Sequence, residues 1–173
     1  MRASRMVRAA LGLAAACLVA AACAKPSEET RIRALLERAA ELAEDRDIPG
    51  LAGLFLDDYA DFEGRDKAGT VRLVTDHLSR YRGVVVHILG MRVDAIGPDG
   101  RAEVGCEIAL SHGAAEVLRR LIRVGSEYYR FGFELRKDGA GEWRFAYAEW
   151  EEIGLGELLP ESLEILRKLF PEL

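Results

Sequence analysis

The 173-residue chain is short of the residue types that build covalent or metal-held frameworks, with three cysteines and three histidines in all. No paired-cysteine motif, HxH or HxxE spacing occurs, which leaves no metal site to expect. No P-loop and no GxSxG element is present, and Gly154-Leu155-Gly156 lacks the third glycine and the βαβ setting of a dinucleotide site. No cofactor is therefore expected. Excess positive charge is missing too, since 24 basic residues face 29 acidic ones. That balance excludes nucleic acid as a partner, which needs a basic footprint. The longest apolar run, Ala9 to Ala22, has fourteen residues, below the ~20 that a membrane-spanning helix requires. Repeats and long low-complexity tracts are absent.

What is present begins with that run. Arg2, Arg5 and Arg8 precede it, and small residues close it at Ala20-Ala21-Ala22-Cys23. A basic start, a short apolar core and a small-residue exit describe a secretory signal. The last four residues resemble the lipobox of bacterial lipoproteins, and the resemblance implies cleavage after residue 22 with lipid carried on Cys23. Ala14-Ala15-Ala16-Cys17 repeats the pattern but leaves too short an apolar core before it. The expected organisation is thus a signal over 1–22, a lipidated Cys23 with a tether to residue 27, and one domain over 28–173. The implied partner is a membrane, held through the lipid. The implied location is the bacterial cell envelope; Ala24 after the cysteine favours the outer membrane, facing the periplasm. The processed chain would carry 21 basic and 29 acidic residues, a net −8. Only Cys106 would remain as a thiol, so stability must come from packing.

The domain reads as helices followed by strands. Ser27 can cap a helix carrying Ile32, Leu35, Leu36, Ala39 and Ala43 on one stripe. Leu51, Leu54, Phe55 and Tyr59 suggest a second helix. Asp66 opens a third, with Val71, Val74, Leu78 and Tyr81 inward. After Gly83 the period changes to two. Val85, His87, Leu89, Met91, Val93 and Ala95 alternate toward one face, and Ala102, Val104, Cys106, Ile108, Leu110 and His112 alternate on the return. A four-residue turn at 97–100 sets Val93 against Val104, Met91 against Cys106 and His87 against Leu110. Residues 113–125 suggest a connecting helix with Arg119, Arg120 and Arg123 on one side. Tyr129, Phe131, Phe133 and Leu135 form a third strand, and Trp143 to Ile153 a fourth. Its register has two solutions, one placing Trp143, Phe145 and Tyr147 inward, the other Ala146, Ala148 and Trp150. Pro160 starts a last helix through Leu163, Leu166, Leu169 and Phe170.

Three helices, an antiparallel meander and the closing stretch with Gly141-x-Trp143-Arg144 resemble the nuclear transport factor 2-like superfamily, also called cystatin-like, with its ketosteroid isomerase, scytalone dehydratase and SnoaL-type branches. The implied fold class is α+β: three N-terminal helices on a curved, mainly four-stranded antiparallel sheet forming a cone, plus a C-terminal helix. Members carry a pocket at the open end and often dimerise through the outer face of the sheet, which implies a homodimer. The pocket is expected to hold a small apolar ligand or a protein partner, with Cys106, Met91 and Tyr147 among its walls. The alternative is a cofactor-independent isomerase, dehydratase or hydrolase using His87 and His112 as diagonal neighbours on one face. Tyr129 is a further catalytic candidate, and Glu127 or Glu149 the candidate carboxylate. His77, beside Asp76, is expected to meet solvent or a loop. Cys106 reads as a small buried hydrophobe.

Overall fold

The computed structural model describes residues 26–81, 83–112 and 126–169. The signal, Cys23 and the 113–125 segment with its three arginines lie outside these, as does Phe170. Helix α1 spans Glu28–Glu44, its first turn acidic and its N-cap Ser27 accepting from the Thr30 N–H at 3.1 Å. Ile32, Leu35, Leu36 and Leu42 are its buried row. Arg46, at φ 57°, reverses the chain into the short helix α2, Ile48–Ala52. Strand β1 follows at Phe55–Asp61, then helix α3 at Lys67–Ser79. The expected second helix therefore stops at Ala52, and Phe55 and Tyr59 belong to a strand. Their helical spacing is overridden by parallel pairing with a strand ninety residues on, Phe55 beside Phe145 and Asp61 beside Ala148.

The meander consists of β2 (Val84–Ile96), β3 (Arg101–His112), β4 (Ser126–Lys137) and β5 (Trp143–Ile153), and the five-stranded order is β1-β5-β4-β3-β2. Extra residues in two strands reset which face their side chains meet. In β2, Leu89 is inserted between the pairs Ile88–Ile108 and Gly90–Glu107. Met91 still meets Cys106 and Val93 meets Val104, but upstream His87 meets Ala109, not Leu110. In β5, Ala146 is inserted between the pairs Phe145–Leu135 and Tyr147–Glu134. Both candidate registers of that strand thus hold in part, with Trp143 and Phe145 inward before the bulge and Ala148 and Trp150 inward after it. Tyr147 turns outward.

The main core lies between α1 and the concave face of the sheet, around Ile32, Leu36, Val104, Leu135 and Phe145. Glu28 pins the narrow end: its carboxylate accepts from Trp143 Nε1 at 2.8 Å and pairs with Lys137 at 3.0 Å. On the convex face, helix α4 (Pro160–Leu169) follows a single 3-10 turn at Leu155–Glu157. Leu158 and Leu166 pack there against Leu89, Ala109 and Ile153. Glu107, 2% exposed, holds this segment by pairing with Arg130 at 2.9 Å and accepting from the Leu159 N–H at 2.9 Å. Gly90 admits Ser162, whose hydroxyl would lie 2.5 Å from any Cβ at that position.

Candidate functional site

A cavity of about 320 Å³ opens between α1, α3 and the concave face. Ala39, Ala40 and Ala43 of α1 keep one wall low, and Phe131, Phe133, Phe145 and Trp150 supply the aromatic opposite wall. Its position follows from the alternation of β3 and β4, which sends Cys106, Ile108, Leu110 and Tyr129 to the concave side. The size falls inside the range of about 300–1,000 Å³ typical of small-molecule sites.

Polar groups gather at one end. The Tyr129 phenol donates to Glu127 Oε2 at 2.9 Å, and the Tyr81 phenol donates to Glu127 Oε1 at 3.0 Å. His77 Nε2 stands 3.7 Å from Glu127 Oε2, and its ring centroid lies 5.3 Å from that of Tyr81. Burial, reinforced by the Glu127 carboxylate, raises the pKa of both phenols above the ordinary tyrosine value. They therefore stay protonated donors to Glu127 at neutral pH. Deeper in the cavity sits Tyr59, 2% exposed, with its ring edge-on to Phe55 at 4.7 Å. Burial pushes its phenol up to about 12. Below it, the buried Asp61 accepts from the Glu63 and Arg65 amides, from Arg65 Nε at 2.7 Å and from the Thr70 hydroxyl at 3.1 Å. That carboxylate fixes the start of α3 and sets Arg65 over the Trp150 ring, 5.3 Å from its centroid.

The sequence candidates divide between the two faces. Tyr129 and Cys106 line the cavity, and Met91 packs beside Cys106 in the core. Burial pushes the Cys106 thiol up to about 12, so it is an inert wall and not a nucleophile. Glu149 is not in the cavity; it lies on the convex face with its carboxylate folded over Gly132. Tyr147 is on the same outer face. His87 and His112 are not diagonal neighbours. The Leu89 bulge pairs His87 with Ala109, and His112 pairs with Val84, an odd number of positions away. The His112 side chain lies outside the described residues. Burial lowers the His87 pKa, opposed in part by Glu44.

His77, expected to meet solvent or a loop, lines the cavity. The row Thr70, Val74, His77, Leu78 and Tyr81 carries helical spacing and would have found it; starting the stripe at Val71 hid it. Tyr59 reaches the cavity only because the helically spaced stretch from Phe55 is a strand.

No protein-family model matches the chain, and no curated protein sequence matches it. Solved structures do. A nuclear transport factor 2-like protein of unknown function from Pseudomonas putida is 22% identical at a TM-score of 0.59, with 76% of this chain and 96% of that one covered. A cystatin-like protein of unknown function from Nostoc punctiforme gives 15% identity, a TM-score of 0.58 and coverage of 76% and 96%. A Bdellovibrio bacteriovorus protein is matched over 72% of this chain at 12% identity and a TM-score of 0.57, but this chain spans only 40% of its length. Five curved strands in the order β1-β5-β4-β3-β2, helices on the concave side and a cavity between them make this the nuclear transport factor 2-like, cystatin-like fold.

Proposed function

We propose that the chain is a lipid-anchored protein of the bacterial envelope whose concave cavity binds a small apolar ligand. The observation that carries the ligand reading is the void itself, about 320 Å³ walled by aromatic and aliphatic side chains at the open side of the sheet. A protein interior is normally close-packed, and an apolar void of this size is a place for a guest. The anchor rests on the sequence Ala20-Ala21-Ala22-Cys23 and on the apolar run before it. Among the described residues no helix is long and apolar enough to cross a membrane. Mass spectrometry of small molecules released when the purified protein is denatured tests the ligand reading. A discrete apolar compound, lost in an Ala43→Phe variant that fills the cavity, is the expected result; release of nothing overturns it. Cys23→Ser should move the protein from the membrane to the soluble fraction, and retention on the membrane would overturn the anchor.

A second reading is a cofactor-independent proton-transfer enzyme, favoured by one observation: His77, Tyr129 and Glu127 meet where the cavity ends. In it an imidazole beside a carboxylate accepts a proton and Tyr129 orients Glu127. The histidine is then His77, not the His87 and His112 pair. His77→Gln should abolish turnover of a bound substrate, while Glu149→Gln on the other face leaves it unchanged. A homodimer through the outer sheet face would bury the like-charged cross-strand neighbours Glu103 and Glu134, so association through it should strengthen with added salt.

A further inference from the structure

Four residue steps separate Cys23 from Ser27, the N-cap of α1. At full extension they span about 14 Å. A lipid on Cys23 therefore keeps the first turn of α1 within that distance of the bilayer surface. That turn is built into the narrow end of the cone. Arg31 donates to the Gly141 carbonyl at 2.8 Å, in the turn between β4 and β5, and Glu28 pairs with Lys137 at 3.0 Å. The Lys137 N–H donates to the Gly100 carbonyl at 3.0 Å, in the turn between β2 and β3. Both hairpin turns are thus carried to the membrane with the start of the helix.

The mouth of the cavity lies at the other extreme. Helix α1 rises ~1.5 Å per residue, which sets the lining residue Ala43 about 24 Å from Ser27. Along β4, the eight positions from Lys137 to Tyr129 measure about 26 Å. There the side chains of His77 and Glu127 are 30% and 31% exposed, so this end opens to solvent.

Charge distinguishes the narrow end from the flanks. Arg101, Arg136 and Arg144 form a row across β3, β4 and β5 just before the turns. Like charges placed directly opposite repel, and each arginine is answered by a carboxylate: Asp99 at 3.3 Å, Asp58, and Asp138 at 2.9 Å. With Arg31 on Glu142 at 3.2 Å and Lys137 on Glu28, the charges of this end balance. The flanks do not balance. The groove on the convex face is edged by seven carboxylates and two arginines. The far half of α1 and its turn carry Glu37, Glu41, Glu44 and Asp45 against Arg38 and Arg46. An anionic bilayer repels both flanks and leaves the narrow end as the surface that can approach it.

We propose that the narrow end is the surface this protein lays on the lipid headgroups, with the cavity mouth turned away from them. The guest then enters from the aqueous side and not from the bilayer that holds the anchor. This goes beyond the ligand reading and rests on the lipid anchor at Cys23.

The test uses the full chain, lipidated and reconstituted in vesicles of phosphatidylethanolamine and phosphatidylglycerol that include a nitroxide-headgroup lipid. A fluorophore is placed on Ala140→Cys in the hairpin turn or on Ser79→Cys at the mouth, both exposed positions, each in a Cys106→Ala background. The label at 140 should lose most of its fluorescence to the nitroxide, and the label at 79 should keep most of its own. Iodide in solution should reverse that order. Equal losses to the nitroxide, or a larger loss at 79, overturn the proposal while leaving the anchor standing. A flexible Gly-Ser insertion of about 20 residues between Lys25 and Pro26 adds a reach of ~25 Å and should relieve the loss at 140. An unchanged loss overturns the short tether as its cause. Flotation on a density gradient separates failure of the anchor from failure of the orientation. A chain that floats no better than Cys23→Ser overturns the anchor, and the proposal with it.

Discussion

The two faces of the sheet are finished by opposite means. On the concave side, Phe131, Phe133, Phe145 and Trp150 stop short of α1 and α3 and leave a void. On the convex side, polar and small residues are used for attachment: Glu107 and Arg130 clamp the segment before α4, and Gly90 lets Ser162 down onto the strand. An apolar wall can be left open because its groups need no specific partner, at the loss of dispersion contacts alone. A buried carboxylate cannot, since each unmet charge is expensive. The convex face also carries an open groove, about 940 Å³ and edged by Arg92, Glu107, Arg130 and Glu149, so the two faces differ in the chemistry of their openings: apolar on the concave side, charged on the convex.

That contrast can be broken by mutation. The largest effect is expected at Leu166→Ala, which empties a site 2% exposed against Leu89 and should lower unfolding free energy in urea by about 3 kcal/mol. Ile108→Ala, facing the existing void, should lose only about 1 kcal/mol, because its side chain already lacks neighbours on one side; equal losses at the two sites would mean that the concave face is filled. Arg130→Ala should follow at about 2 kcal/mol, leaving Glu107 with the Leu159 amide alone, and Glu107→Gln in that background should recover part of the loss. Gly90→Ala should destabilise by roughly 1–2 kcal/mol through collision with Ser162, and Ser162→Gly should relieve it in a double-mutant cycle.

The smallest effect is a pH slope. Burial holds the folded-state pKa of His87 below its ordinary value of 6.5. The unfolded chain then binds the proton more readily, so the stability from this site is complete above about pH 6.5 and is lost as pH falls through the lowered folded value. His87→Gln should flatten that part of the curve in chemical denaturation across pH 5 to 8, and an unchanged slope would show that His87 is solvated.

Legibility in the sequence followed locality. The alternation of β3 and β4 was readable residue by residue, since Ala102 through Leu110 and Tyr129 through Leu135 keep strict period two. The helix caps at Ser27 and Asp66 were equally plain. Strand β1 was not, because Leu51, Leu54, Phe55 and Tyr59 have helical spacing and only pairing with a distant strand decides otherwise. The site suffered from the same cause. His87 was placed by extending period two through Leu89, where one extra residue inverts the faces. Tyr59 and Glu127 come together with the cavity only through tertiary closure.

Ala146 carries a consequence for how the length of this chain can change. A residue lost from a regular strand exchanges every later side chain between the two faces. At Ala146 the inward and outward order on either side is already that of an uninterrupted strand, from Phe145 inward to Tyr147 outward and Ala148 inward. Deleting this one residue would shorten β5 without exchanging cavity wall for outer surface. It is the position in the hairpin where descendants of this chain can differ in length and still inherit the same interior.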